Sequence, residues 1–255
     1  MVHPMNAGRV RVPDRTGQAG FAAGTYGPSA ALGARLICAG VGLGVLLILL
    51  GLFVKTGPMT SAMTNTDWLV TALRNPLFTP IAKAFTLVAT PELWAVLGFV
   101  IPLVLVLAKR RGQALRVFGV LIGETGVTYV AKALIDEHRP TKQLWMETAS
   151  SGSFPSGHAA AATAIAVVAV ILVPPAAKRG TAIGGAIFAL FVAGSRVYLG
   201  VHYPGDVVGG ALATATAVVF LAGLSRMPPL RRWLPALDRS GREYPPLPTG
   251  PYPPR

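Results

Sequence analysis

Three short stretches of this sequence concentrate side chains that can bind an anion or move a proton. In the first, Lys132 and Arg139 stand seven residues apart, so on a helix they share one face two turns along, before Pro140 turns the chain away. Two cations aimed one way suit an anion, although an isolated pair equally suits snorkelling anchors at the end of a membrane span. The second stretch, Ser153-Phe154-Pro155-Ser156-Gly157-His158, leads directly into an Ala-rich apolar run. Ser156 reads as a helix N-cap and Gly157 lets an anion approach the backbone. The helix start offers free N–H groups and a positive dipole end, a ready phosphate site. His158 falls in the first turn and can donate a proton; read alone, it is equally a histidine that faces water. The third stretch runs from Ser195-Arg196 to His202 and Asp206. Asp206 follows His202 by four, so its carboxylate can reach one imidazole nitrogen, fix the tautomer and leave the other nitrogen free as a nucleophile. A purely structural His–Asp pair would have the same spacing. Taken together, the stretches supply three cations, a helix N-terminus, two histidines and one carboxylate. That is an inventory for phosphoryl transfer: cations and N–H donors hold the equatorial oxygens, one histidine attacks phosphorus, and the other protonates the leaving oxygen.

The elements that must position these groups are membrane helices. Of 255 residues, 52% are hydrophobic and only 13% charged, and the mean hydropathy is +0.55. A soluble domain carries about 25% charged residues, so the composition argues against a soluble enzyme. Long apolar runs cover Leu36–Val54, Leu93–Ala108, Leu115–Ile135, His158–Val173, Ala182–Tyr198 and Val207–Leu224. About 20 residues cross the hydrocarbon as a helix, which predicts an all-α integral membrane bundle of six transmembrane helices over 33–225. The tail 1–32 is rich in Gly, Ala and Pro and lacks the apolar stretch of a signal peptide. The tail 226–255 is Pro-rich, and both tails read as disordered. If the first span starts inside, 16 of the 23 Lys and Arg residues fall on the inner side. The positive-inside rule then places both termini in the cytoplasm and the three polar stretches on the outer face. This bias accounts for the net charge of +13 without a nucleic-acid partner. The segment Met59–Phe85, outside, reads either as a short helix lying at the interface or as a plain connecting loop.

In order, from Lys132 to Asp206, the three stretches resemble the signature of the type 2 phosphatidic acid phosphatase family, which also covers vanadium haloperoxidases. That signature reads Lys-x6-Arg-Pro, Pro-Ser-Gly-His and Ser-Arg-x5-His-x3-Asp, and every position is matched here. The resemblance implies that His202 is the nucleophile forming a phosphohistidine, with Asp206 orienting it. His158 would be the general acid. Lys132, Arg139 and Arg196 would clamp the phosphate, with Ser156 and the Gly157 amide adding hydrogen bonds. It further implies no metal and no other cofactor, and a site at the extracytoplasmic edge of a bacterial cell membrane.

The expected function is therefore that of a multi-pass lipid phosphatase acting on a membrane lipid, with undecaprenyl or related polyprenyl diphosphate as the first substrate. Phosphatidic acid, phosphatidylglycerol phosphate and diacylglycerol pyrophosphate are alternatives, as is transfer of the phosphoryl group to a lipid alcohol. A lipid-binding or transport protein would need the cations but not both histidines and Asp206. Glu124 stands in the middle of the third span, a costly place for a carboxylate; it reads as a buried hydrogen-bonded partner or as a residue of substrate access or proton transfer. The pairs Gly40/Gly44 and Gly119/Gly123 fit close helix packing. Cys38, the one cysteine, excludes an internal disulfide.

Overall fold

The computed structural model describes residues 28–149, 151–228 and 230. Most of both expected tails therefore lies outside the described residues. Among the described residues eight α-helices follow in order: α1 (Pro28–Val54), α2 (Gly57–Thr71), α3 (Phe78–Val88), α4 (Pro91–Leu107), α5 (Arg111–Ile135), α6 (Gly157–Leu172), α7 (Lys178–Tyr198) and α8 (Pro204–Leu224). Short 3-10 turns cover Lys142–Leu144 and Pro175–Ala177. Among the described residues there is no strand. Helix α1 starts within the segment 1–32, so five residues of that expected tail, 28–32, are helical.

Four helices are long and apolar enough to cross a membrane: α1, α5, α7 with the turn before it, and α8. A fifth crossing arises if α3 and α4, bent by 43° at their junction, count as one broken span. Thr90 caps α4 by accepting from the Leu93 N–H, and Pro91 cannot continue a helix from α3, so the chain bends there. Helix α6 is apolar but has 16 residues, which gives it a rise of only about 24 Å. The segment read as interfacial helix or loop forms α2 and α3.

Burial is inverted relative to a soluble protein. The outward faces carry Phe99, Leu103 and Leu107 on α4, Ile187 and Leu190 on α7, and Val45, Leu49 and Phe53 on α1. A continuous apolar exterior of this kind has lipid as its natural solvent. The buried face of α5 repeats at three- and four-residue steps through Val117, Val120, Leu121, Glu124, Thr128 and Ala131, so Glu124 and Thr128 turn inward. The chain is a multi-pass membrane protein.

Small residues set the helix spacing. Helix α1 lies along α8 with Gly40 against the backbone of Phe220, where a Cβ would come within 2.8 Å of main-chain atoms. Gly119 and Gly123 face Leu221 of α8, so both glycine pairs serve packing within one chain. Gly210 lets α8 press against the start of α6, where an added Cβ would stand 2.5 Å from the Ser156 carbonyl oxygen. This close approach brings the second and third polar stretches together. Phe154, wholly buried, packs with Leu47, Val54, Ile135 and Ala213 beneath the loop that joins α5 to α6.

Candidate active site

The end of α5, the start of α6, the end of α7 and the start of α8 meet at one end of the bundle. Each terminus has a local cause. The α5 C-terminus closes on Asp136 in the left-handed region (φ 46°), and the Lys55 ammonium donates to the Ile135 carbonyl at 2.6 Å. Ser156 begins α6, its hydroxyl accepting from the Ala159 N–H at 3.4 Å. Arg74, in the turn after α2, reaches the carbonyls of Tyr198 (2.9 Å) and Leu144 (2.6 Å), tying the α7 C-terminus to the loop between α5 and α6. Pro204 occupies the first turn of α8, and Asp206 accepts from the Tyr203 N–H at 2.9 Å.

His202, between α7 and α8, is almost wholly buried. Its Nδ1 lies 3.2 Å from Asp206 Oδ2. The same oxygen accepts from the Ser153 hydroxyl, which also lies 3.5 Å from Nδ1. A carboxylate on Nδ1 places the ring proton there and leaves a lone pair on Nε2. That nitrogen faces Arg139 Nη1 at 3.1 Å. Burial, and after it the charges of Arg139, Arg196 and Lys132, hold the His202 imidazolium well below the usual range, so the ring is neutral at neutral pH.

The cations are fixed by main-chain oxygens and one carboxylate. Lys132 donates to the Gly152 carbonyl at 2.6 Å. Arg139 donates from Nε to Ser151 (2.8 Å) and from Nη1 to Val201 (2.6 Å). Burial lowers its pKa to about 10, which leaves it charged at neutral pH. Arg196 binds Glu147 at 2.6 Å and the Thr86 hydroxyl at 3.3 Å. Its Nε is buried without a partner, a donor left over for a ligand.

Lys132, Arg139, Gly157, His158, Arg196 and His202 all line one cavity of about 360 Å³. Of the remaining sequence candidates, Asp206 stands behind His202, away from the cavity. Ser156 is wholly buried, its hydroxyl engaged in the helix cap. His158 shares the cavity, and its ring carries no hydrogen bond. His138 is exposed. Sequence reasoning assigned no role to Ser153, Glu147 or Thr86. Ser153 lay inside a quoted stretch, three residues before Ser156, whereas Glu147 and Thr86 reach Arg196 only through tertiary folding.

A helical membrane bundle that gathers three cations around a neutral, carboxylate-backed imidazole, with a second imidazole across the cavity, has the form of a phosphate-handling site. Residues 113–228, which hold all three polar stretches, match the PAP2 superfamily, and the match marks the protein as a phosphatase. The fold is similar to the crystal structure of the first transmembrane PAP2 type phosphatidylglycerolphosphate phosphatase from Bacillus subtilis. The TM-score is 0.63 at 23% identity, covering 80% of this chain and 98% of that one. It is also similar to that of Aquifex aeolicus LpxE, with a TM-score of 0.50 at 22% identity, over 64% of this chain and 92% of that one. No curated protein matches the sequence.

Proposed function

We propose that this enzyme removes the terminal phosphate of a membrane lipid through a phosphohistidine on His202. Nε2 of His202 attacks phosphorus, the bond to the leaving oxygen breaks, and His158 gives that oxygen its proton. Water then attacks the phosphohistidine, the P–N bond breaks, His158 takes the water proton, and phosphate departs. Lys132, Arg139, Arg196 and the Gly157 N–H hold the equatorial oxygens, where charge collects in the transition state. Asp206 keeps the His202 proton on Nδ1. The observation that carries this reading is the convergence of all three stretches on one cavity, with His202 backed by Asp206 at 3.2 Å.

The distribution of Lys and Arg supports six spans, counting α6 and the broken α3–α4 pair, with both termini cytoplasmic and the site at the extracytoplasmic edge. Lys109, Arg110, Arg111, Lys178, Arg179 and Arg226 gather at the bundle end opposite the cavity, as cytoplasmic anchors do. A phosphate at that outer edge sits among headgroups while its tails stay in lipid. Polyprenyl diphosphate and phosphatidylglycerol phosphate both fit, and the likeness to the Bacillus subtilis enzyme favours the second. The purified protein in detergent with EDTA is expected to release phosphate from a panel of these lipids. Release that survives His202→Ala unchanged would overturn the proposed nucleophile.

A further inference from the structure

Arg196 differs from the other two cations in what holds it. Lys132 and Arg139 donate to main-chain oxygens around the site, whereas Arg196 is gripped by two side chains from distant elements. Its Nη1 nitrogen carries two hydrogens. One goes to Glu147 Oε2 at 2.6 Å and the other to the Thr86 hydroxyl at 3.3 Å, so Nη1 has nothing left for a ligand. Nε, buried without a partner, lies with Nη2 along the other edge of the guanidinium plane. That edge is the one that meets two oxygens of a phosphate through parallel hydrogen bonds, and Arg196 lines the cavity.

The Thr86 contact is one link of a chain with a fixed direction. The Ser195 hydroxyl donates to the Val192 carbonyl at 2.7 Å. Its oxygen then accepts from the Thr86 hydroxyl, 3.0 Å away, and the Thr86 oxygen accepts from Arg196. Each hydroxyl has one hydrogen, so no other assignment satisfies all three contacts. Thr86 is buried in α3 and Ser195 in α7, so the chain ties the guanidinium to both helices. Glu147 is anchored from the loop side. The Met146 N–H donates to the Leu199 carbonyl at 2.9 Å, the Trp145 indole donates to the Pro140 carbonyl at 2.9 Å, and Arg74 holds the Leu144 carbonyl. The carboxylate therefore stands on a pinned loop. A buried guanidinium needs a counter-charge, and neutralisation alone would account for an acid here. It does not account for an acid and a hydroxyl that share one nitrogen and leave Nε unpaired beside a cavity.

We infer that Glu147 and Thr86 are positioning residues for the reaction: by holding Nη1 they keep the Nε–Nη2 edge of Arg196 aimed at two oxygens of the phosphoryl group. This rests on the lipid phosphatase reading and adds to it two residues that never touch the substrate. Without them the long side chain turns about its own bonds, and a fork that is misaimed by a fraction of an ångström loses much of its effect on the reacting group.

The test uses the full chain in detergent, with p-nitrophenyl phosphate as substrate and inorganic phosphate as inhibitor. Thr86→Val keeps the shape and removes the hydroxyl; it should lower kcat/KM by about tenfold. Thr86→Ser restores the hydroxyl and should stay within about threefold of the wild type. Glu147→Gln takes a negative charge away from an anion site, so charge alone would make phosphate inhibit more tightly. Loss of aim predicts the opposite sign, inhibition weaker by about threefold or more. In an Arg196→Lys background there is no fork to aim, and there Thr86→Val and Glu147→Gln should each change kcat/KM by less than about twofold. The inference is overturned by a Thr86→Ser enzyme as poor as Thr86→Val, by tighter phosphate inhibition of Glu147→Gln, or by undiminished losses in the lysine background. Should Thr86→Val fail to fold, the two Glu147→Gln measurements carry the test. Normal wild-type turnover with unaffected variants overturns the positioning role alone, whereas folded wild-type enzyme that releases phosphate from no ester overturns the phosphatase reading and the positioning role with it.

Discussion

The two imidazoles that share the cavity are held in opposite ways. His202 is buried, its Nδ1 backed by Asp206 and its Nε2 faced by Arg139. Asp206 in turn is fixed by Ser153 and by the Tyr203 N–H. His158 sits in the first turn of α6, partly exposed, and no hydrogen bond orients its ring. The proposed mechanism gives the two rings different tasks, and the difference suits them. A nucleophile must present one lone pair along one line of attack, and freedom there only lowers the rate. A general acid must follow an oxygen that moves away and then serve a water molecule arriving from the same side. The pocket spends its buried polar groups on the first task and leaves the second ring loose.

This contrast can be broken or sharpened by substitution. The largest effect belongs to His202→Ala, which should lower phosphate release by more than about 1,000-fold for every substrate, because the proposed mechanism has no other group to form the P–N bond. A phosphate-release assay that finds the same loss for good and poor leaving groups would support the assignment. His158→Ala should cost about 100-fold or more with a lipid alcohol as leaving group and much less with p-nitrophenyl phosphate, whose oxygen needs no proton. An equal loss for both leaving groups would deny His158 the acid role. Ser153→Ala should be milder, about tenfold in kcat with little change in KM, since it loosens Asp206 without touching substrate. A change in KM alone would show that Ser153 contacts the ligand instead.

The smallest effect concerns Asp67 in α2, on the Asp206 side of the site. It is wholly buried, and neither carboxylate oxygen has a hydrogen bond. Burial, then the nearby charge of Asp206, pushes its pKa from the ordinary 3.8 up to about 7. A carboxyl whose folded pKa lies above its unfolded value is most favourable to the fold at low pH, and its cost grows as pH rises from about 4 through about 7. Asp67→Asn removes that cost. Thermal melts should therefore show a gain over the wild type that is larger at pH 8 than at pH 5, with each kcal/mol worth about 2–4 °C. A gain of equal size at both pH values would mean that the carboxyl does not ionise across this range.

Much of the site could be read in the chain because its members lie at fixed offsets around helix ends. The cap at Ser156 and the four-residue step from His202 to Asp206 are local geometry, and local geometry survives in sequence; the step from Lys132 to Arg139 is not the shared helix face that its spacing suggested, because α5 closes at Ile135 and Arg139 reaches the cavity from the loop that follows. Glu147 and Thr86 are different. Each meets Arg196 from a distant element, 49 and 110 residues away in sequence, and nothing in their own neighbourhoods announces it. The apolar runs marked α1, α4, α5, α6, α7 and α8 well, since hydropathy reports what faces lipid. Helix α3 escaped that reading because Thr79, Lys83 and Thr86 interrupt its apolar pattern. One of those threonines turns inward to hydrogen-bond Ser195 at 3.0 Å. The first helix was placed too late because Pro28 and Gly33 look like tail residues, although proline is at home in an opening helical turn.

The contact between Arg139 and the Nε2 atom of His202 has a consequence beyond turnover. In the proposed mechanism, Arg139 Nη1 stands 3.1 Å from the lone pair that attacks phosphorus, so an incoming phosphate meets the cation and the nucleophile together. Small electrophiles that carry no negative charge, such as acylating reagents, gain nothing from that cation and meet a wholly buried ring behind it. They should label His158 well before His202, and inorganic phosphate should slow both, because it fills the cavity that the two rings share.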